Sequence, residues 1–283
     1  MRVRLLNMAD VYPHTFKKSN RKGIITMDYS MKFDGKSVVI SGAASGIGLE
    51  TVKAYLANGA TVYMIDFNEK ANEEQAAILA EQYGDGRVFT VTADMTNDAD
   101  TSKVIDCIKA NTGRVDILIN NAGTGANVRS INETHEGWEK VINLNLTSHF
   151  FFSQKIATEF MIPQRKGKIV NMCSLSAFIG VPNAVAYSAS KGAILQMTKS
   201  LAGEWARFNI QVNCVCPGFV ETPLIKENME NPNWMGYMNI RIPMKRLAKP
   251  EDIIGSVLFL SSNLADYITG ASLIVDGGYA SAG

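Results

Sequence analysis

From residue 36 onward, short apolar runs alternate with longer amphipathic stretches. This alternation restricts the fold of the 283-residue chain more than any other feature. The runs at Ser37–Ser41, Thr61–Asp66, Val88–Thr92, Ile117–Asn120, 168–173, 210–216 and Ser272–Val275 read as strands. Helical periods separate them near 46–58, Glu69–Tyr83, Asp98–Asn111, 137–162, 185–208 and 251–261. Strands this apolar need cover on both faces, which is the condition of a parallel sheet. Right-handed crossovers then wind helices onto both sides. The pattern predicts an α/β fold, a doubly wound, seven-stranded parallel Rossmann sheet. No repeat or low-complexity linker divides it, so one domain is expected over 33–283.

Residues 1–32 read as an N-terminal extension. Arg2, Arg4, Lys17, Lys18, Arg21 and Lys22 face only Asp10 and Asp28 there, without a sustained apolar period. Scarce Ser and the presence of Asp fit a transit peptide poorly. A flexible extension, or translation from a start upstream of Met27 or Met31, fits better.

Composition narrows the function classes. A hydrophobic content of 46% supplies a sizeable core, and a formal net charge of +1 gives no reason to expect nucleic acid or an acidic membrane as partner. No apolar run approaches the roughly 18 residues that span a bilayer. The four cysteines (Cys107, Cys173, Cys214, Cys216) without a signal peptide point to reduced thiols and the cytoplasm. Cys214 and Cys216 share one face of a strand. With no His or second Cys pair nearby in sequence, they read as small buried hydrophobes, and no metal is expected.

The first strand runs into Ser41-Gly42-Ala43-Ala44-Ser45-Gly46-Ile47-Gly48. Glycines at 42, 46 and 48 allow a tight turn and let the backbone approach a pyrophosphate at a helix N-terminus. The spacing is G-x3-G-x-G, and a glycine-rich turn alone is a weak signal. Context strengthens it, because a strand precedes, a helix follows, and Asp66 ends the next strand. A carboxylate there can accept hydrogen bonds from ribose hydroxyls and would repel a 2′-phosphate. No Lys or Arg lies in 41–48 to welcome that phosphate. NAD is therefore expected rather than NADP, against the plainer reading of Asp66 as a strand-end turn residue.

Tyr187 and Lys191 lie four apart in Ala186-Tyr187-Ser188-Ala189-Ser190-Lys191, hence on one face of a helix. A nearby ammonium favours the phenolate and should lower the phenol from its usual value of about 10. Such a pair suits proton exchange with an alcohol or a carbonyl. About one Tyr–basic pair at this spacing is expected by chance among nine Tyr and 28 Lys or Arg, as Tyr83/Arg87 and Tyr237/Arg241 illustrate. The pair gains weight only from the other motifs.

Together these residues resemble the short-chain dehydrogenase/reductase family over roughly residues 36–278. Gly42, Gly46 and Gly48 match its glycine motif, and Asp94 its acidic residue after the third strand, which contacts the adenine. Asn120-Asn121-Ala122-Gly123 is similar to its motif after strand four, and Pro217-Gly218 with Val220 and Thr222 to the segment that holds the nicotinamide amide. Asn145, Ser174, Tyr187 and Lys191 match its catalytic tetrad, with Ser174 thirteen residues before Tyr187. Ser41 stands where Thr is usual, and Cys173 where Ser often precedes the catalytic Ser.

The resemblance implies a cofactor site of Gly42, Ser45, Gly46, Ile47, Gly48, Asp66, Asp94, Asn121, Ala122, Gly123, Tyr187, Lys191, Pro217, Gly218, Val220 and Thr222. It also implies Tyr187 as acid/base, Lys191 lowering its pKa, Ser174 orienting the substrate oxygen, and Asn145 holding a water at a local helix break. Residues 220–247, irregular and rich in Met, Asn and aromatics, correspond to the family's mobile lid. Met229, Trp234, Met235, Tyr237 and Met238 either line a pocket or pack as core. Arg129 and Arg241 either bind a carboxylate or stand solvated.

The expected reaction is interconversion of a secondary alcohol and a ketone with NAD, on a polyol, sugar or sugar acid. The Asn127-Val128-Arg129 stretch is loosely similar to gluconate 5-dehydrogenases. Alternatives are a 3-oxoacyl carrier-protein reductase, which Asp66 disfavours because that reaction usually runs on NADPH, and a non-catalytic nucleotide sensor, which the complete tetrad disfavours. Helices at 137–162 and 185–208, carrying Phe150, Phe151, Phe152, Phe160 and Trp205, supply more apolar surface than one face uses. The resemblance implies that they pair across a two-fold axis and that the last strand with its preceding helix forms a second interface, giving a homotetramer.

Overall fold

In the computed structural model the described residues are 29–125 and 127–282, so the extension falls outside them up to position 28. Residues 31–283 form one compact unit around a seven-stranded parallel sheet. The strands are β1 (Ser37–Ser41), β2 (Thr61–Asp66), β3 (Val88–Thr92), β4 (Ile117–Asn120), β5 (Gly167–Met172), β6 (Ile210–Pro217) and β7 (Ser272–Val275). Their order is β3-β2-β1-β4-β5-β6-β7. β5 begins and ends one residue before the predicted run, and β6 extends one residue further.

Alternate residues of each strand face opposite layers. Val38 and Ile40 pack with α1 (Gly46–Ala57), α2 (Glu69–Tyr83) and α10 (Pro250–Ser261). Val39 packs on the other side with α3 (Asp98–Asn111), α5 (Ser148–Ile156) and α7 (Val185–Trp205). Fully burying one such side chain contributes roughly 1.5–3 kcal/mol. Tyr55 on α1 is fully buried, and its phenol shares a 2.6 Å hydrogen bond with Ser261, which couples α1 to α10.

The stretch predicted as one helix over 137–162 is more irregular. α4 (His135–Ile142) starts at Thr134, whose hydroxyl accepts from Gly137 N at 3.0 Å. A wide π turn at Asn143–Thr147 follows, then α5, a second π turn at Ala157–Met161, and the short α6 (Ile162–Gln164). In the first π turn the N–H of Ser148 reaches Asn143 rather than Leu144. The Ser148 hydroxyl takes up the bypassed Leu144 carbonyl at 2.6 Å. Such bulges are frequent at functional sites.

Residues 220–247 are mostly helical rather than irregular, with α8 (Lys226–Met229) and α9 (Pro232–Arg241). The Asn231 side chain accepts from Asn233 N and Trp234 N, and Pro232 occupies the first turn, where its missing N–H costs nothing. Met229, Trp234, Met235 and Met238 pack with Ile242, Leu247, Phe219 and Tyr279 in a satellite core. That is the packing alternative.

Sheet order reverses between β1 and β4. The segments that follow their C-terminal ends therefore leave to opposite faces of the sheet and open a crevice, the usual place for a ligand in an open α/β sheet.

Candidate active site

That crevice is a cleft of ≈ 1480 Å³. At one end it is lined by the β1–α1 turn, Asp66 and Asp94. At the other lie Ser174, Tyr187 and Lys191, with Asn121, Ala122 and Gly123 between. Ser45, Gly46, Ile47, Pro217, Gly218, Val220 and Thr222 line it as well. Of the residues expected at the site, Gly48 and Asn145 do not form its wall; they frame it from behind.

The glycine turn is built by close approach. Gly42 has φ +65, and a Cβ there would stand 2.9 Å from Ala122 Cα. At Gly48 an added Cβ would fall 1.9 Å from the Gly42 carbonyl oxygen. Only a bare Cα lets the first turn of α1 press against the strand-end turn. The Ser41 hydroxyl accepts from Asn121 N at 3.0 Å and Ala122 N at 3.1 Å, so Ser supplies the oxygen that Thr would. Asn121 Nδ2 donates to the Ser41 and Gly42 carbonyls at 3.1 and 3.0 Å, which binds the two loops to one another.

Asp66 is buried at the end of β2. One carboxylate oxygen accepts from Ala44 N at 3.0 Å and the other from Asn68 N at 3.0 Å. It is thus both a strand-end turn residue and part of the cleft wall. Among the described residues no Arg lines the cleft, and its two lysines, Lys140 and Lys191, belong to α4 and α7. Asp94 is exposed, and its carboxylate accepts from Thr96 N at 2.8 Å. The fit to a dinucleotide is good in kind. The turn leaves a cradle that side chains would fill, and the Asp66 carboxylate in the wall beside it could accept from ribose hydroxyls.

Tyr187 and Lys191 share one face of α7, with the ammonium 5.5 Å from the phenol ring centroid. The Ser174 hydroxyl stands near the Tyr187 phenol and favours its ionised form. Its hydroxyl also accepts from Ser176 N at 3.1 Å, capping the next turn. Lys191 is buried and donates to the Met172 carbonyl at 2.8 Å. Burial pushes the Tyr187 phenol up to about 12, and the nearby Ser174 hydroxyl only partly opposes it. The direction is opposite to the expected lowering: desolvation of the phenolate is the largest cause, and the Lys191 ammonium is turned to the Met172 carbonyl. Burial likewise pushes Lys191 down to about 8.

Asn145 is fully buried in the first π turn. Its Oδ1 accepts from Thr124 N at 2.8 Å, and its Nδ2 donates to the Thr124 carbonyl at 2.9 Å and to Ser190 Oγ at 3.0 Å. The amide is committed to tying the Gly123–Thr124 loop to α7. Neither Arg129 nor Arg241 lines the cleft, and Arg241 stacks over Tyr279 at 5.3 Å.

The sequence reading missed several supporting groups. Buried His149 bonds the Ala122 carbonyl through Nε2 at 2.7 Å, and burial pushes its imidazole down to about 3, so it is neutral and donates. Asn120 Nδ2 donates to Ser153 Oγ at 2.7 Å and to Asn171 Oδ1 at 2.8 Å. Cys173 joins Cys214 and Cys216, the three sulfurs all within 4.8 Å of one another, although no third ligand was legible near the pair. The signal is the register of β5 on β6, which sequence spacing does not display.

Comparison with known proteins agrees with this geometry. The family model described as enoyl-(acyl carrier protein) reductase matches residues 42–280. The chain is 36% identical over 249 residues to a 3-oxoacyl-acyl-carrier-protein reductase of Thermotoga maritima, covering 88% of this chain and 99% of that protein. It is 37% identical over 256 residues to an NAD-dependent glycerol dehydrogenase of Listeria innocua, covering 89% and 96%. A gluconate 5-dehydrogenase from Burkholderia cenocepacia, solved with NADP and tartrate, superposes with TM-score 0.83 at 32% identity, covering 89% and 98%. The chain is thus an oxidoreductase of the kind that acts on CH–OH groups, and it belongs to the short-chain dehydrogenase/reductase family.

Proposed function

We propose that the protein is an NAD-dependent oxidoreductase that interconverts a secondary alcohol and a ketone on a polyol, sugar or sugar acid. The observation that carries this reading is one cleft with Asp66 at one end and the Ser174–Tyr187–Lys191 group at the other. A bound nicotinamide would donate or accept the hydride. Tyr187 exchanges the accompanying proton with the substrate oxygen, and Ser174 donates a hydrogen bond that orients it. Lys191 keeps positive charge near the phenol and favours its ionised form when the alcohol is oxidised. Asn145 holds the Gly123–Thr124 loop and α7 in register.

Asp66 supports NAD, since a 2′-phosphate beside it would meet a carboxylate and no Arg of the cleft wall. The NADP bound by the Burkholderia structure makes this the point to test first. The cleft wall also includes Asn127, Ser176, Asn183 and Asn228, neutral hydrogen-bonding groups suited to a hydroxylated substrate. The relative from Thermotoga maritima favours a second reading, reduction of a 3-oxoacyl thioester with NADPH. Turnover of polyols, keto-sugars and an acyl thioester with each cofactor separates the two.

We read the protein as cytoplasmic and homotetrameric. Among the described residues no helix is long and apolar enough to cross a membrane, and the cysteines are free thiols. Phe152, Phe160 and Trp205 are buried within the chain, whereas Trp138 stays exposed on α4, as does Phe151 on α5, which also lines the cleft. Edge strand β7 exposes Leu273 and Ile274. These two apolar surfaces support two isologous contacts.

A further inference from the structure

Three thiols that the proposed reaction does not use meet between the sheet and α7. Cys214 and Cys216, two apart on β6, point to one face, and Cys173 follows β5 with its N–H on the Val215 carbonyl at 2.8 Å. All three are buried, and Cys214 Sγ and Cys216 Sγ lie 3.9 Å apart. Apolar Ile194, Leu146 and Leu195 surround them. Cys173 also forms part of the cleft wall beside Ser174, so the buried trio adjoins the cleft.

Residues two apart on one strand stand roughly 6.8 Å apart at Cα, the far limit for a disulfide, so β6 cannot easily close its own pair. A central ion asks for less. Sulfurs held about 2.3 Å from an ion in a plane stand about 4 Å from one another; the Cys214–Cys216 pair is already at 3.9 Å, and all three sulfurs lie within 4.8 Å. Zinc prefers a fourth ligand, and among the described residues the cluster offers no His or carboxylate. An all-sulfur, three-coordinate set suits a soft cation such as Cu(I).

We propose that Cys173, Cys214 and Cys216 form a binding site for one Cu(I) ion, entered through the cleft, and that its occupation stops turnover. Binding converts three thiols to thiolates with release of three protons and no change of copper oxidation state. The site then carries net negative charge beside Lys191, whose ammonium already rests on the Met172 carbonyl next to Cys173. That charge competes for the ammonium and disfavours the Tyr187 phenolate. The loss of turnover rests on the proposed reaction, whereas the binding does not.

The test uses the full chain carrying Cys107→Ser, which removes the one cysteine outside the trio, titrated anaerobically with Cu(I) against a coloured competing chelator. One ion per chain should be captured, with a thiolate-to-copper charge-transfer band in the ultraviolet. Turnover should fall at least tenfold and return with excess chelator. Adding Cys216→Ala should weaken capture at least tenfold. Cys173→Ala, at the cleft wall, provides the same test if the first variant folds poorly. Absence of one-to-one capture, capture unmoved in a folded variant of either kind, or full turnover with copper bound would overturn the proposal.

Discussion

The phenol of Tyr187 sits in conflict with its own surroundings. Burial holds it at about 12, so at neutral pH it is protonated and ready to give a proton to a ketone. Alcohol oxidation instead needs the phenolate, whose fraction rises tenfold per pH unit below the pKa. Oxidation efficiency should therefore climb between about pH 6 and 8 with a slope approaching one, and ketone reduction should not. A flat oxidation profile over that range contradicts the assignment. Tyr187→Phe keeps the ring and removes the proton, so turnover should drop roughly 10²–10⁴-fold while NAD still binds. His149 allows a separate check on stability. Its folded value of about 3 lies below its ordinary value, so the unfolded chain binds the extra proton. Stability should fall as pH drops from about 6.5 toward 3, by up to ~1.4 kcal/mol per unit from this group. In denaturant titrations His149→Gln should show a shallower acid loss; an unchanged slope would discount the buried imidazole as the cause.

At the scale of elements, the glycine turn shows how a sequence motif becomes geometry. Gly48→Ala forces a Cβ onto the Gly42 carbonyl, a backbone atom that cannot swing aside. Dinucleotide affinity should weaken at least about tenfold, ~1.4 kcal/mol, in a fluorescence titration, and an unaltered affinity would mean the turn does not cradle the cofactor. Strands and most helices were legible because apolar runs and helical periods are local signals. Asn231-Pro232 carried a readable helix start that the Met-rich composition around it obscured. The π turn at Asn143–Thr147 was legible only as a break expected from resemblance, since no local pattern distinguishes a π from an α turn. Contacts made by strand register escaped altogether. The Asn120–Asn171 amide pair and the Cys173–Cys216 neighbourhood join residues that only the β4–β5 and β5–β6 pairings bring together. The shift of Tyr187 was misjudged for a related reason, because four-residue spacing reveals an ammonium but not the depth of burial.

For the whole molecule, the exposed Phe151 and the β7 edge predict a solution mass near four chains of 30.9 kDa by light scattering at micromolar concentration. A mass of one or two chains would refute the tetramer. The central claim is that this cleft runs NAD-dependent hydride exchange on a hydroxylated small molecule. Its most direct test is to follow nicotinamide absorbance with a panel of polyols, sugars and sugar acids, their keto forms and a 3-oxoacyl thioester, each with NAD(H) and NADP(H). A hydroxylated substrate should turn over with NAD favoured at least about tenfold in kcat/KM, a difference of ~1.4 kcal/mol, and the gap should narrow in Asp66→Ala. Equal use of both cofactors, or turnover confined to the acyl thioester with NADPH, would contradict it.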